Sequence, residues 1–151
     1  MAELNVGDAA PAFTGEDQNG ETVSLDQYRG KKLVLYFYPK DNTPGCTAEA
    51  CNLRDNYELF MEKGYEILGV SADSRKSHQN FISKYELPFR LLSDVDKKIL
   101  KAYNAWGEKT RYGKTYEGIL RKTYIISEDG NIEKIFDKVK TKNHTTQIFA
   151  D

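Results

Sequence analysis

The chain has 151 residues, and its 22 basic and 23 acidic side chains give a formal net charge of −1 at pH 7. This balance offers no electrostatic basis for binding nucleic acid or a membrane surface, and no apolar run reaches the roughly 18 residues of a transmembrane helix. The hydrophobic fraction of 39% is sufficient for a buried core. At this length we expect one domain, spanning residues 1–151.

The first half of the chain alternates predicted strands and helices. Short strands are expected near Ala12–Thr14 and at Thr22–Ser24, on either side of a tight turn. The continuous apolar run Lys32–Tyr38 predicts a central buried strand. A helix is predicted from Pro44 to about Lys63, and a second buried strand follows at Tyr65–Ser71.

The second half contains two further helices and a long irregular segment. Ser74 to Glu86 is predicted to be helical, and Pro88 prevents its continuation. Asp94 is the expected N-cap of a helix that extends to about Tyr103. The segment 104–118 shows no clear periodicity and is predicted to be irregular.

The end of the chain predicts a hairpin and a short helix. The strands Gly118–Ser127 and Asn131–Lys138 are joined by a turn, and Asn143 is the candidate cap of the last helix. A helix between strands implies parallel pairing, whereas a hairpin implies antiparallel pairing. The predicted fold class is therefore α/β and thioredoxin-like. Its mixed central sheet is flanked by helices on both faces, with an N-terminal extension and an insertion before the hairpin.

Cys46, one of two cysteines, lies in the first turn of the helix that follows the buried strand. Thr43 fits the N-cap and Pro44 the first helical position. The unpaired backbone N–H groups and the helix dipole favour a thiolate, which is the nucleophilic form of cysteine. A helix terminus alone contributes about 0.3–1 kcal/mol, so a second positive group is required.

The run Pro39-x-x-x-Thr43-x-x-Cys46, followed by Glu49 and Cys51, resembles the active-site signature of the peroxiredoxins. It is most similar to the PrxQ subgroup, also called bacterioferritin comigratory protein, and the likeness extends over nearly the whole chain. The resemblance implies a thiol peroxidase of antioxidant defence that reduces hydrogen peroxide and organic hydroperoxides. It implies no metal, haem or other cofactor.

The resemblance also implies roles for both cysteines. Cys46 matches the peroxidatic cysteine, whose thiolate attacks the peroxide and becomes a sulfenic acid, and Cys51 matches the resolving cysteine. The intramolecular disulfide would then be reduced by thioredoxin or a similar dithiol protein, and the protein is expected to be a monomer. The alternative for either residue is an inert thiol packed in the core.

Helix geometry restricts how these cysteines can react. Residues i and i+5 of an α-helix have Cα atoms roughly 8.5–9 Å apart. A disulfide requires Cα atoms closer than about 7 Å, so Cys46 and Cys51 cannot join while the helix is intact. We therefore expect the first turns of the helix to unwind after Cys46 is oxidised.

Four more residues match positions of the family's active site, and each has a simpler alternative. Arg121 matches a catalytic arginine that would supply the second positive charge, or it is a solvated strand residue. Glu49 would orient that arginine, or it is an acidic residue near the helix N-terminus. Thr43 would bind the peroxide or cap the helix. Pro39 would shield the site or end the strand.

Other interpretations of the cysteines are weaker. The histidines, His78 and His144, lie in polar segments, and their spacing from the Cys-x4-Cys pair does not match a zinc site. A dithiol oxidoreductase would carry Cys-x-x-Cys instead. A redox-gated binding module remains a third possibility. The N-terminus lacks the apolar stretch of a signal peptide, and we expect a reducing, cytoplasmic location.

Overall fold

The computed structural model describes residues 3–150, which form a seven-stranded sheet, a separate two-stranded sheet and helices. In chain order the elements are β1 (Thr14–Asp17), β2 (Thr22–Ser24), a 3-10 helix (Leu25–Tyr28), β3 (Lys32–Phe37), α1 (Pro44–Asp55), α2 (Tyr57–Glu62), β4 (Tyr65–Ser71), α3 (Arg75–Tyr85), β5 (Arg90–Ser93), α4 (Lys98–Ala102), β6 (Trp106–Arg111), β7 (Lys114–Ile119), β8 (Lys122–Ile126), β9 (Ile132–Phe136) and α5 (His144–Phe149). Within this part of the chain, no helix is both long and apolar enough to cross a membrane.

The large sheet is mixed and has the strand order β2-β1-β5-β4-β3-β8-β9. The central strands β3, β4 and β5 are parallel, because helices connect them, whereas β8 pairs antiparallel with β3 and β9 antiparallel with β8. At the other edge, β1 pairs antiparallel with both β5 and β2. The predicted fold class, with its N-terminal extension, is confirmed.

Strand β3 lies at the centre of the core and is buried on both faces, which explains its continuous apolar sequence. Its residues alternate between two hydrophobic clusters. Leu33, Leu35 and Phe37 belong to one cluster, and Val34 and Tyr36 belong to the other, together with Tyr38 just beyond the strand. Helix α4 packs in the first cluster, whereas α1, α2, α3 and α5 pack in the second. Helices therefore cover both faces of the sheet.

Several predicted boundaries were wrong by a few residues. The first strand is Thr14–Asp17 rather than Ala12–Thr14. The predicted helix from Pro44 to Lys63 is two helices, because Asn56 leaves helical geometry with φ −111° and ψ 13°. Asp94 does not cap a helix directly. A turn follows it, α4 begins at Lys98, and the Asp94 carboxylate instead accepts the N–H of Leu100 at 2.7 Å.

The prediction of an irregular segment over 104–118 was also wrong. This part of the chain forms the antiparallel hairpin of β6 and β7. The strand predicted over Gly118–Ser127 is interrupted, since β7 ends at Ile119 and β8 begins at Lys122. The Leu120 N–H bonds the Ala105 carbonyl at 2.7 Å within the interruption. As a result, Arg121 lies in a connection between two sheets rather than within a strand.

Candidate active site

Cys46 is the third residue of α1, and its side chain is only 2% exposed. Thr43 occupies the N-cap position with extended geometry, and Pro44 is the first helical residue, as predicted. The first helical hydrogen bond joins the Thr47 N–H to the Thr43 carbonyl at 2.8 Å. The amides of Gly45 and Cys46 therefore precede the helical ladder, at the positive end of the helix dipole.

Arg121 contacts both acidic groups of the predicted site. Its Nη2 donates to Sγ of Cys46 at 3.2 Å, and its Nη1 donates to Oε1 of Glu49 at 2.6 Å. Glu49 lies one helical turn after Cys46, so the two side chains share a face of α1. The structure thus brings Cys46, Glu49 and Arg121 together, and the alternative of a solvated strand arginine is wrong.

Burial controls the charges in this cluster. The Glu49 side chain is fully buried, and burial raises the pKa of Glu49 from 4.5 to about 7, although Arg121 acts in the opposite direction. Burial lowers the pKa of Arg121, but the nearby Glu49 and Cys46 outweigh it and leave that pKa raised. The guanidinium therefore remains positively charged beside the sulfur.

The Thr43 hydroxyl does not cap the helix, which was one of its two predicted roles. No side-chain capping bond is formed at this N-cap. The Thr43 hydroxyl instead donates to the backbone carbonyl of Lys40 at 2.8 Å. Because its proton is engaged, the hydroxyl oxygen can act only as an acceptor toward any further partner.

Cys51 lies on the same helix as Cys46, since α1 spans Pro44–Asp55, and both cysteines are free thiols. Cys51 is half-buried, whereas Cys46 is buried. The helical separation that the sequence predicted is therefore present, and it keeps the two sulfurs apart in this state.

The loop between β3 and α1 is anchored by residues that the sequence analysis did not select. Asp41 accepts a hydrogen bond from the Tyr38 hydroxyl at 2.5 Å and contacts Nδ1 of His78 at 2.7 Å, and its backbone N–H donates to Asp73 at 2.8 Å. Asp41, Asp73 and His78 each offer one potential metal-ligand atom, and these atoms lie within 4.8 Å of one another. Here the three side chains are instead engaged in the hydrogen-bonded network. Pro39, two residues before Asp41, is half-buried, and its shielding role stays a prediction.

His144 also belongs to the site, although the sequence analysis placed it in a polar segment. The ring is fully buried, with Nε2 at 3.6 Å from Oε2 of Glu49 and 2.8 Å from Oγ1 of Thr123. Burial lowers the pKa of His144 from 6.5 to about 4. No local signal marks this residue, because α5 is a short helix whose packing against α1 is a tertiary contact.

Comparisons with known proteins agree with this arrangement. A sequence profile described as the AhpC/TSA family matches residues 6–135. A protein of Coxiella burnetii named putative peroxiredoxin bcp is 48% identical over 145 residues, which cover 96% of each chain. Peroxiredoxin Bcp of Escherichia coli K12 is 46% identical over 144 residues, covering 95% of this chain and 92% of that protein.

Solved structures of similar proteins share the fold of this chain. The crystal structure of a cysteine-to-serine mutant of Xylella fastidiosa PrxQ covers 98% of this chain and 94% of its own, with a TM-score of 0.91 and 34% identity. A structure of the Xanthomonas campestris bacterioferritin comigratory protein, described in connection with its alkyl peroxide reduction activity, has a TM-score of 0.87 and 37% identity. It covers 98% of this chain and 94% of its own.

The chain therefore belongs to the AhpC/TSA family, the peroxiredoxins. Within that family it is of the PrxQ, or Bcp, kind, the subgroup that its sequence resembles. It is a thiol-dependent peroxidase, and its two cysteines fit the atypical two-cysteine type.

Proposed function

We propose that Cys46 is the peroxidatic cysteine and Cys51 the resolving cysteine of this peroxidase. The observation that carries the proposal is the position of Arg121, which donates to the Cys46 sulfur at 3.2 Å while Glu49 holds the same guanidinium at 2.6 Å. A fixed positive charge beside the sulfur stabilises a thiolate and the negative charge that develops as the O–O bond breaks.

In the first step, the Cys46 thiolate attacks the distal oxygen of the peroxide. The S–O bond forms, the O–O bond breaks, and its electron pair leaves with the RO group, which takes up a proton to become ROH. Thr43 accepts a hydrogen bond from the attacked O–H, since its own proton is donated to Lys40. The amides at the start of α1 and Arg121 stabilise the oxygens.

In the second step, the Cys51 thiolate attacks the sulfur of the Cys46 sulfenic acid. The S–S bond forms and hydroxide leaves, which is protonated to water. Because α1 holds the two residues too far apart, its first turns unwind before this step. A dithiol reductant such as thioredoxin then reduces the disulfide by exchange. The sulfur itself supplies both electrons, so the cycle requires no metal or cofactor.

The substrates we propose are hydrogen peroxide and organic hydroperoxides, in line with the alkyl peroxide reduction described for the Xanthomonas relative. The cycle starts from two free thiols, and we propose a reducing compartment such as the cytosol. Resolution within one helix needs no second subunit, which supports a monomer that functions in antioxidant defence.

Peroxide consumption tests this assignment. With excess dithiothreitol as reductant, we expect Cys46→Ser to abolish turnover. Cys51→Ser should form a sulfenic acid at Cys46 once, which dimedone labels and peptide mass spectrometry locates. With thioredoxin as reductant, only the wild type should turn over repeatedly. Multi-turnover activity in Cys46→Ser, or dimedone labelling at Cys51 instead, would contradict the proposal.

A further inference from the structure

His144 carries a proton on one defined ring nitrogen. The amide orientation of Gln147 is fixed by the backbone, because its Nε2 donates to the Lys138 carbonyl at 2.7 Å and its Oε1 accepts from the Lys140 N–H at 3.0 Å. Oε1 is thus an acceptor, and it faces Nδ1 of His144 at 2.9 Å. The proton of the neutral ring therefore resides on Nδ1.

The other ring nitrogen faces the carboxyl group of the active-site glutamate. Nε2 of His144 lies 3.6 Å from Oε2 of Glu49, and both side chains are fully buried. No described residue donates a hydrogen bond to this oxygen. If both groups were deprotonated here, Arg121 would pair with the carboxylate through Oε1 alone, and Oε2 would be left buried without a donor. The nearby Nε2 has no proton to give, because it accepts from the Thr123 hydroxyl at 2.8 Å, so the arrangement carries a desolvation cost. One additional proton, on either atom, removes that cost.

The net charge of the Glu49–His144 pair determines how strongly the positive charge of Arg121 stabilises the Cys46 thiolate. With one shared proton, Glu49 and His144 have no net charge together, and the Cys46 thiolate is the one net negative charge that Arg121 contacts. Without that proton, two anions compete for one guanidinium. Among the described residues, the buried phenol of Tyr36 interacts electrostatically with Glu49 and Cys46, and the Lys109 ammonium interacts with Arg121 and Cys46.

We propose that His144 is a positioning residue of the active site, which holds one proton jointly with Glu49 and so keeps the charge of Arg121 directed at Cys46. This inference rests on the proposed role of Cys46. The shifts on the two partners agree with it: burial raises the pKa of Glu49 to about 7 and lowers the pKa of His144 to about 4, so the folded pair retains a proton up to about pH 7.

A carbon-13 NMR titration of the reduced protein, labelled at glutamate Cδ, tests the shared proton without peroxide. The Glu49 signal is identified by its loss in Glu49→Gln. We expect His144→Gln, whose amide N–H can donate to Oε2, to lower the titration midpoint of Glu49 by about one pH unit or more. His144→Phe keeps a ring beside Phe136 but removes both nitrogens, and it should raise the midpoint.

The rate of Cys46 oxidation by hydrogen peroxide should follow the same titration. In the wild type we expect the rate constant to fall about tenfold as Glu49 loses its proton, and the pH of this fall should move down in His144→Gln and up in His144→Phe. Glu49→Gln should abolish the fall, and the double variant with His144→Gln should behave like Glu49→Gln alone.

His78→Gln is the matched control, because His78 is also fully buried but contacts Asp41 and Leu92 rather than Glu49. It should leave the Glu49 titration unchanged. The proposal is overturned if both His144 variants titrate like the wild type, if they shift Glu49 in the same direction, or if wild-type Glu49 titrates near its ordinary value. Should Cys46 not be peroxidatic, only the rate measurements fail and the NMR shifts remain.

Discussion

Gly45 is the residue over which Arg121 reaches the Cys46 sulfur. A Cβ atom at this position would lie 3.3 Å from Nη2 of Arg121, closer than ordinary van der Waals contact. The absence of a side chain at Gly45 therefore allows the guanidinium to donate to Sγ at 3.2 Å. Glycine costs about 1 kcal/mol relative to alanine in a helix interior, but Gly45 is the second residue of α1, so its cost in helix stability is small beside its effect on access to the sulfur.

Gly45→Ala should separate these two effects. We expect the added methyl group to displace the guanidinium by a few tenths of an ångström and to slow Cys46 oxidation about tenfold, since reaction rates respond steeply to small misplacements. Thermal stability should stay the same or rise slightly. Stopped-flow oxidation and thermal unfolding measure the two outcomes, and an unchanged rate constant would show that Arg121 does not need this space.

The residues of the site differ in how far the sequence could predict them. Cys46 and Glu49 lie within one short motif, and Arg121 was found through the resemblance to peroxiredoxins. In the structure, Arg121 contacts both of the other residues. His144 and Asp41 were missed because the contacts of His144 with Glu49 and of Asp41 with His78 join residues distant in sequence, and burial by tertiary packing leaves no periodic pattern in the polar segments that contain them.

At the scale of elements, the Asn52 side chain joins α1 to the C-terminal helix and the residues just before it by hydrogen bonds. Asn52 donates to the Lys142 carbonyl at 3.0 Å, and its Oδ1 accepts from both the backbone N–H and the hydroxyl of Thr145, each at 2.8 Å. Asn52 directly follows Cys51. Unwinding of α1 as far as Cys51 therefore strains or breaks these bonds.

Asn52→Ala should make the opening of α1 easier. Loss of these bonds, each contributing about 0.5–1.5 kcal/mol, should raise the population of the open helix and speed disulfide formation about tenfold. Excess peroxide should correspondingly convert less Cys46 to sulfinic acid. Quenched-flow thiol alkylation followed by mass spectrometry measures both. Lys142→Ala is the control, because only its backbone carbonyl accepts from Asn52, and equal rates in all three proteins would refute the expectation.

The β6–β7 hairpin shows why some elements were not predictable. Its strands are mostly exposed, so they lack the alternation of buried and exposed side chains that marks a strand. The interruption that places Arg121 depends on the bond between Leu120 and Ala105, a contact that sequence periodicity does not encode. By contrast, β3 and β4 are buried on both faces and were predicted from their apolar runs.

At the scale of the whole molecule, the buried side chains of Glu49 and His144 make the free energy of unfolding depend on pH. The pKa of Glu49 is raised from 4.5 to about 7 in the folded protein, so its contribution to stability is complete below pH 4.5 and is lost as the pH rises to about 7. The pKa of His144 is lowered from 6.5 to about 4, so its contribution is complete above pH 6.5 and is lost as the pH falls to about 4.

Glu49→Gln should therefore change the pH profile of stability. Relative to the wild type, the free energy of unfolding of the variant should increase as the pH rises from 4.5 to about 7, because glutamine has no proton to lose, and the difference should be constant above that range. Urea unfolding at several pH values measures it. Glu58→Gln, at an exposed position of α2, is the control. Parallel profiles for Glu49→Gln and wild type would contradict this linkage.

The proposed catalytic cycle requires that one helix exist in two states, closed around Cys46 when reduced and opened when Cys46 is joined to Cys51. Hydrogen–deuterium exchange of the amides in 48–54 measures this most directly, in the dithiothreitol-reduced protein and after one equivalent of hydrogen peroxide. We predict strong protection in the reduced protein and a marked loss of protection after oxidation, confined to α1 and its contacts with α5. Equal protection in both states, with the disulfide verified by mass spectrometry, would contradict the account.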